Sequence, residues 1–443
     1  MSQQNLANQS LFKIFMKYTS LAVMSMLGIS LFILADTYFI ANGVGADGIA
    51  ALNIVLPVVN TTHGIGWMIG VGGATPFSIS KGRKDYQKAQ SQFSFTIVIA
   101  LVISFIFCLV TLMFADTILG FLGASGHIFA MSKSYYMVLV AFSPAFIITD
   151  TVISFLRNDN NPSLAMISLL IGGLFNVVFD YLFIIQLNME LFGSAVATVI
   201  SPIITLLLSS LHLKHTDRQL AFRKFKANIN DIKRIFSIGF SSFLNEFSSA
   251  LVMFLFNIVI LQIAGNIGVS AYGIIANINI MAMVIFAGIG QGFQPLVSIY
   301  YGQREKDTLK KLLKYGLILS TAFGLFFFVI GFVFSESIVS LFNNEQNPQL
   351  AQLAETGLRL YVLSFLIAGV NFTTIYFMAA VEKARPSLIV ALLRGLLLIL
   401  PVLLVMAHLM QITGVWLTML VVESITMLFS VIILKSYYKR YLA

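Results

Sequence analysis

The sequence predicts an all-α membrane protein that crosses the bilayer twelve times, as two pseudo-symmetric bundles of six helices. The composition, the distribution of positive charge and an internal repeat predict this fold class. Hydrophobic residues make up 58% of the 443 residues, charged residues make up only 10%, and the mean hydropathy is +0.92. A soluble domain carries about 25% charged residues, so the apolar excess indicates a surface that faces lipid.

Apolar runs between polar, Gly or Pro breaks define the spans. Each spanning helix needs about 20 mostly apolar residues, and twelve segments qualify. The predicted spans are 14–41, 50–80, 92–115, 132–156, 164–186, 191–213, 236–261, 270–300, 315–335, 356–380, 387–408 and 412–434.

Lysine and arginine residues predict the orientation of these spans. With the N-terminus in the cytoplasm, all but three of the 27 lie on the cytoplasmic side, the exceptions being Lys133, Arg359 and Arg394. We therefore expect a multi-pass membrane protein with both termini cytoplasmic. The basic loops account for the net charge of +9 and are attracted to anionic membrane lipid, so no nucleic-acid partner is expected.

A repeat divides the chain near its midpoint. With a shift of 220 residues, five glycines of the window 45–90 fall on glycines of the window 265–310, where about one coincidence is expected by chance. Six helices are an even number, so both copies enter the membrane in the same direction. We predict an N-lobe over 1–213, a basic cytoplasmic linker over 214–235 and a C-lobe over 236–443.

Motifs for catalysis are missing from the sequence. It contains no GxxxxGK[ST], HExxH or GxSxG motif and no cluster of Cys and His, so we expect neither an enzyme nor an organic cofactor. Six ionisable residues instead fall deep within predicted helices, where each costs on the order of 3 kcal/mol and such residues usually mark ion paths. They are Asp36, Asp150, Asp180, Glu246, Arg394 and Glu423.

Asp36 and Asp180 are predicted to lie at a similar depth in the N-lobe, which has no deep arginine or lysine. Asn176 is one turn from Asp180 on the same helix face, and Thr198 starts from the same side of the membrane. Two acids without a fixed cation either retain a proton or bind Na+ with amide and hydroxyl oxygens. Both readings predict a site for a coupling ion, with no other metal.

The other deep groups have more than one reading. Arg394 and Glu423 are expected to satisfy each other or nearby carbonyls, and Asp150 to form an ion pair with Arg157 or a local hydrogen bond. His63 suits polar packing or a proton relay.

Glu246 is a lone carboxylate in an apolar segment, which suits a counter-charge for an organic cation. Aromatic rings and flexible thioethers accommodate varied lipophilic cations. The candidate substrate-binding residues are Glu246, Phe243, Phe247, Met253, Met281 and Met283.

Four segments resemble the multidrug and toxic compound extrusion (MATE) family, and the likeness covers nearly the whole chain. They are "LADTYFIANGVGADGIAALNIVLPV", "GVGGATPFSISKGRKDYQKA", "NVVFDYLFI" and "GIGQGFQPLVSIYYGQREKD"; "FLNEFSSALVMFLFN" is similar to the MepA-like and DinF-like bacterial branch. The resemblance implies a V-shaped transporter that exports cationic drugs in exchange for H+ or Na+ by alternating access. It also implies that Asp36, Asn176, Asp180 and Thr198 form the ion site of the N-lobe.

We therefore expect a monomeric antiporter of small lipophilic cationic drugs. A flippase for lipids or lipid-linked saccharides of the same superfamily is the alternative. It would need a strongly cationic cavity, whereas only Arg394 and Arg359 lie at depth. A receptor or scaffold that transports nothing would leave the buried carboxylates without a purpose.

Overall fold

The computed structural model describes residues 10–343 and 347–442, which form helices joined by short connections without any β-strand. The helices of the first half are α1 (Leu11–Gly43), α2 (Ala46–Gly82), α3 (Tyr86–Met113), α4 (Ala115–Phe121), α5 (Gly126–Ala141), α6 (Ser143–Asn158), α7 (Pro162–Asp180) and α8 (Glu190–Ser209). They are followed by α9 (Ile229–Gln303), α10 (Lys306–Val333), α11 (Ser335–Ser340), α12 (Pro348–Tyr361), α13 (Phe365–Ala380), α14 (Ala384–Leu392) and α15 (Ile399–Tyr437).

The described residues contain the twelve predicted spans. Nine continuous helices are long and apolar enough to cross a membrane, and α5 with α6 forms a tenth span that bends by 49°. The backbone of α9 leaves the helical region at Gly265, and that of α15 does so at Gln411. Division at Gly265 turns α9 into two spans. Division at Gln411 separates the last span from the preceding one, which consists of α14 and the first part of α15, and the total becomes twelve. The protein is therefore a multi-pass membrane protein.

The connections at these two places differ from the prediction. We expected loops between spans 236–261 and 270–300 and between spans 387–408 and 412–434, but helix continues to within one residue of each break. A single residue with positive φ lets the chain turn without a polar loop. Hydropathy therefore locates each break between spans correctly but predicts a connection that is too long.

Left-handed backbone positions recur in both halves at the spacing of the repeat. Gly45 (φ 89°) and Gly265 (φ 62°) are 220 residues apart, and so are Lys84 (φ 61°) and Arg304 (φ 63°). Each of these residues lies between consecutive spans, where the chain must turn. The internal duplication therefore extends to the backbone conformation of equivalent turns.

Asparagine followed by proline starts one helix in each half. The side chain of Asn161 accepts a hydrogen bond from the backbone N–H of Leu164, and Pro162 occupies the first turn of α7. Asn347 likewise accepts from the N–H groups of Gln349 and Leu350 at the start of α12. The carboxamide satisfies donors that the first helical turn leaves unpaired, and proline has no N–H to satisfy there.

Large apolar side chains on the outside of the helices mark the surface for lipid. In α3, Val102, Phe105, Ile106 and Leu109 are each more than half exposed. They follow one another at helical spacing, so they form one outward face. Such a face would be unstable in water but suits the acyl chains of a bilayer.

The chain packs as two units, of which the first ends at Phe247 and the second begins at Ser248. The start of α9 belongs to the first unit because small residues let it approach α2. A Cβ on Gly72 would collide with the backbone of Ile235, and a Cβ on Gly239 would collide with that of Met68. Close backbone approach at glycine is typical of helix packing in membranes.

Asp159, in the turn after α6, holds the segment that follows α8. Its carboxylate accepts hydrogen bonds from Lys81 (2.9 Å), His212 (2.9 Å) and the backbone N–H groups of Gln219 (2.7 Å) and Leu220 (3.0 Å). Burial alone would raise the pKa of this carboxyl, but Lys81 and the hydrogen bonds outweigh it and lower the pKa from 3.8 to about 2.

Asp159→Asn is expected to destabilise the protein by about 2 kcal/mol, because the lowered pKa measures how strongly these partners favour the charged form. The stabilisation is present above the unfolded pKa and is lost as the pH falls toward the folded value near 2. Thermal melting in detergent at neutral pH measures the effect. Asp217→Asn, which changes an exposed carboxylate in the same segment, should melt like the wild type. Equal melting temperatures for Asp159→Asn and Asp217→Asn would show that the contacts of Asp159 do not stabilise the protein.

Candidate functional site

Four helices of the first unit bring polar side chains together inside the membrane-spanning region. Helix α1 contributes one carboxylate, α5 a phenol, α7 an amide and a second carboxylate, and α8 two hydroxyls. These residues are Asp36, Tyr135, Asn176, Asp180, Ser194 and Thr198. All four residues that the sequence predicted for the ion site are among them.

The spacing on α7 explains why two of them share a face. Asn176 and Asp180 are four residues apart, and both are buried, with 7% and 0% of the residue exposed. Directly after Asp180 the helix widens into a π-helical turn over Tyr181–Gln186. Such turns are frequent at functional sites, where they reorient side chains.

Hydroxyl and amide groups organise the surroundings of the two acids. Ser194 donates a hydrogen bond to Asp36 over 2.8 Å, from its Oγ to Oδ1. The Nδ2 of Asn176 donates to the Oγ1 of Thr198 over a long 3.5 Å. The phenol of Tyr135, whose residue is only 3% exposed, lies beside Ser194 and Thr198 and within electrostatic range of both carboxylates.

Asp180 is the least satisfied member of the site. Both of its carboxylate oxygens are buried, and the group within hydrogen-bonding reach of them is the carboxyl of Asp36, itself an acid. Two carboxylates attract each other only when a proton or a cation lies between them. The arrangement therefore suits a proton or a small cation shared by Asp36 and Asp180.

The available ligands fit a proton or a hard monovalent cation. Carboxylate, hydroxyl and amide oxygens are the donors that hard cations prefer, and soft ligands are not part of this cluster. In the described part of the chain, no three His, Cys, Asp or Glu side chains form a group that could hold a metal ion. The cluster has two acids, which is enough to neutralise one cation.

A second group of ionisable residues lies elsewhere in the first unit. Glu246 of α9 is close enough to act electrostatically on His63 of α2 and on Asp150 of α6. Its aromatic neighbours stack on one another: the rings of Phe243 and Phe247 are 5.9 Å apart at an interplanar angle of 12°. Three of the predicted substrate-binding residues are therefore adjacent on α9.

The sequence model of the MatE family matches residues 22–182 and 240–405, which is most of the chain and includes one match in each half. The chain belongs to the MatE family.

Curated relatives of this MatE chain are bacterial export proteins. It is 28% identical over 400 residues to the multidrug export protein MepA of Staphylococcus aureus (strain MSSA476), covering 90% of this chain and 88% of that protein. It is also 28% identical over 436 residues to the protein of the same name from Staphylococcus haemolyticus (strain JCSC1435), covering 97% and 95%.

Solved structures show the same fold. The MatE chain matches an outward-facing multidrug resistance MATE family transporter of the MOP superfamily with a TM-score of 0.91, over 98% of both chains at 20% identity. A MOP superfamily transporter from Pyrococcus furiosus matches with a TM-score of 0.92, over 99% of both chains at 20% identity. The expected family and fold class are therefore confirmed.

The second unit of this MatE protein contains a closed ion pair. The Nε of Arg394 donates to the Oε1 of Glu423 over 2.8 Å, as the sequence predicted. Asn371 donates to the other carboxylate oxygen over 2.7 Å, and its own carbonyl oxygen accepts from Ser430. Both oxygens of Glu423 have partners, so this acid differs from Asp180 in needing no further cation.

The three candidate methionines lie in the second unit. The sulfur of Met283 is 3.0 Å from a guanidinium nitrogen of Arg394, so this side chain packs on the ion pair. Met253 and Met281 are each 43% exposed. Their role in binding substrate stays a prediction.

Sequence reasoning missed Tyr135 and Ser194. Ser194 is four residues before Thr198 on the same face of α8, so helical spacing could have identified it. Tyr135 has no such signal, because it lies between Ser134 and a second tyrosine and carries no ionisable partner at helical spacing that would single it out. Asp150 was expected to pair with Arg157 or to form a local hydrogen bond, and it is hydrogen bonded to His63 from another helix, 2.8 Å away.

Proposed function

We propose that this protein is a secondary multidrug exporter, which exchanges lipophilic organic cations for H+ or Na+ by alternating access. The pairing of two acids, Asp36 and the fully buried Asp180, is the observation that carries the proposal. Two carboxyl groups within hydrogen-bonding reach of each other form a stable site only when a proton or a cation lies between them.

Exchange follows from the same arrangement. An inward-moving ion that binds between Asp36 and Asp180 halves the negative charge of the pair and replaces the repulsion between the acids with a shared attraction. The helices that hold them, α1 and α7, can then pack differently from their arrangement around two charges. A bound ion thereby favours one conformation and its absence favours another, which is what coupled transport requires.

A cationic substrate is supported by Glu246 and its aromatic neighbours. Phe247 is 41% exposed, and it stacks on Phe243 within one turn of the carboxylate. A negative charge beside accessible ring faces attracts a lipophilic cation through both charge and π-electron density. The relatives named multidrug export proteins support drugs as the substrates.

The two deep arginines argue against a flippase for anionic head groups. Arg394 is already neutralised by Glu423, and Arg359, whose Nε donates to the uncharged Oγ of Ser335 over 2.7 Å, would offer a pyrophosphate only one guanidinium. A pyrophosphate site would need cationic groups that are not already neutralised. We also propose, from the distribution of Lys and Arg, that both termini are cytoplasmic in the bacterial inner membrane.

Vesicle transport with separate gradients tests the proposal and identifies the ion. The purified protein is reconstituted, and efflux of ethidium is followed with either a pH gradient at equal sodium or a sodium gradient at equal pH. We expect one gradient to drive efflux well above that of protein-free vesicles. Efflux that responds to neither gradient would refute antiport.

A further inference from the structure

His63, Asp150 and Glu246 form an ionisable cluster within the first unit that the coupling site does not include. The Nδ1 of His63 is 2.8 Å from the Oδ2 of Asp150. The two helices are close at this point, because a Cβ on Gly66 would lie 2.8 Å from the side chain of Asp150. Glu246 of α9 supplies a second negative charge to the pair.

This cluster is accessible on one side only. The Asp150 side chain is 6% exposed, whereas that of His63 is 37% exposed. The imidazole packs edge-on against Phe146, with 5.5 Å between ring centroids. The exposed part of the imidazole gives a proton a way to leave the cluster.

The charges around the cluster are few. Apart from its three members, the described charged group that acts on Asp150 is Arg157, two turns further along α6. The guanidinium of Arg157 lies 5.6 Å from the centre of the Trp67 ring. Two acids therefore face one imidazole, and the cluster carries a net charge of −1 when the imidazole is protonated.

Helix positions separate this cluster from Asp36 and Asp180. Asp36 lies about 10 Å of helix before the end of α1 at Gly43, and His63 lies about 25 Å of helix after the start of α2 at Ala46. The ends of these helices adjoin, so the cluster is about 15 Å deeper than the acid pair. Two separate sites can then hold protons independently.

We propose that His63, Asp150 and Glu246 form a second proton-binding site, from which a cationic substrate displaces a proton. The inference rests on the proposed function in one respect, the positive charge of the substrate. A cation that binds against Glu246 and the rings of Phe243 and Phe247 adds a positive charge near the imidazolium. Repulsion then releases the proton of His63 to water, and the total charge stays at −1.

The test measures tetraphenylphosphonium binding to the purified protein by calorimetry between pH 5.5 and 8. If each bound cation displaces one proton, affinity rises by about tenfold per pH unit below the midpoint of the titration and then levels off. His63→Gln should bind at every pH with the affinity that the wild type reaches at pH 8. His127→Gln, which changes a 74% exposed histidine of the same unit, should behave like the wild type.

Two more variants keep the result decisive. Asp150→Asn removes the carboxylate that favours the charged imidazole, so the midpoint should move to lower pH even if His63→Gln does not fold. The double variant Asp36→Asn/Asp180→Asn should retain the pH dependence of binding, although the proposed function requires it to lose gradient-driven efflux. The proposal is overturned if His63→Gln and Asp150→Asn keep the wild-type pH dependence, or if only the double variant loses it.

Discussion

Asp180→Asn is expected to abolish gradient-driven efflux of ethidium in reconstituted vesicles. The amide has the shape of the carboxylate but cannot take up a proton or neutralise Na+, so the site can no longer hold one positive charge between two acids. Asp36→Asn should have the same effect, because both acids share one positive charge. Rates are expected to fall to those of protein-free vesicles under the gradient that drives the wild type.

Asp47→Asn is the matched control for this experiment. It removes a carboxylate of the same unit that is 60% exposed and lies outside the site, so transport should be unchanged. Full gradient-coupled transport by Asp36→Asn or Asp180→Asn would rule out the acid pair as the coupling site. Binding of tetraphenylphosphonium by these variants would show that they are folded.

Arg394→Met is expected to destabilise the second unit by about 3–5 kcal/mol. Glu423 is completely buried, and the variant leaves its charge without the guanidinium that compensates it. Glu423→Gln should be similarly harmful, because it leaves the Arg394 side chain, only 11% exposed, without an acid. Thermal melting in detergent measures both losses.

The double variant Arg394→Met/Glu423→Gln distinguishes a structural ion pair from a transport site. With both charges removed, no buried charge is left uncompensated, so we expect most of the lost stability to return. The double variant should also retain gradient-driven efflux. A double variant that is stable but inactive would assign the pair a part in transport and contradict our reading.

The span count was predictable because lipid imposes a strong condition on sequence. Each crossing requires a long apolar run. The preference of Lys and Arg for the cytoplasmic side then fixes which ends of the spans lie on the same side of the membrane. The breaks at Gly265 and Gln411 were not predicted as single residues, since one change of backbone angle leaves no trace in hydropathy. The bend between α5 and α6 was not predicted either, although Pro144 in the first turn of α6 marks it in the sequence.

The acid pair was predictable in part. Depth along each helix follows from residue counting, which placed Asp36 and Asp180 at one level. Rotation of each helix about its axis depends on packing, and hydropathy constrains it weakly when a helix is apolar all round. The contacts between His63 and Asp150 and of Tyr135 with the site therefore needed coordinates. Arg394 and Glu423 were predictable because opposite charges buried in one unit have few other partners.

The junction of the two copies in sequence does not coincide with the junction of the two packed units. The duplication places residues 236–261 at the beginning of the second copy, yet the chain through Phe247 packs with the first, where Gly239 and Ile235 cover Met68 and Gly72. A cut at the junction of the two copies would therefore uncover a face of α2 that glycine shapes for close helix contact, so neither copy carries all the residues that complete its own bundle.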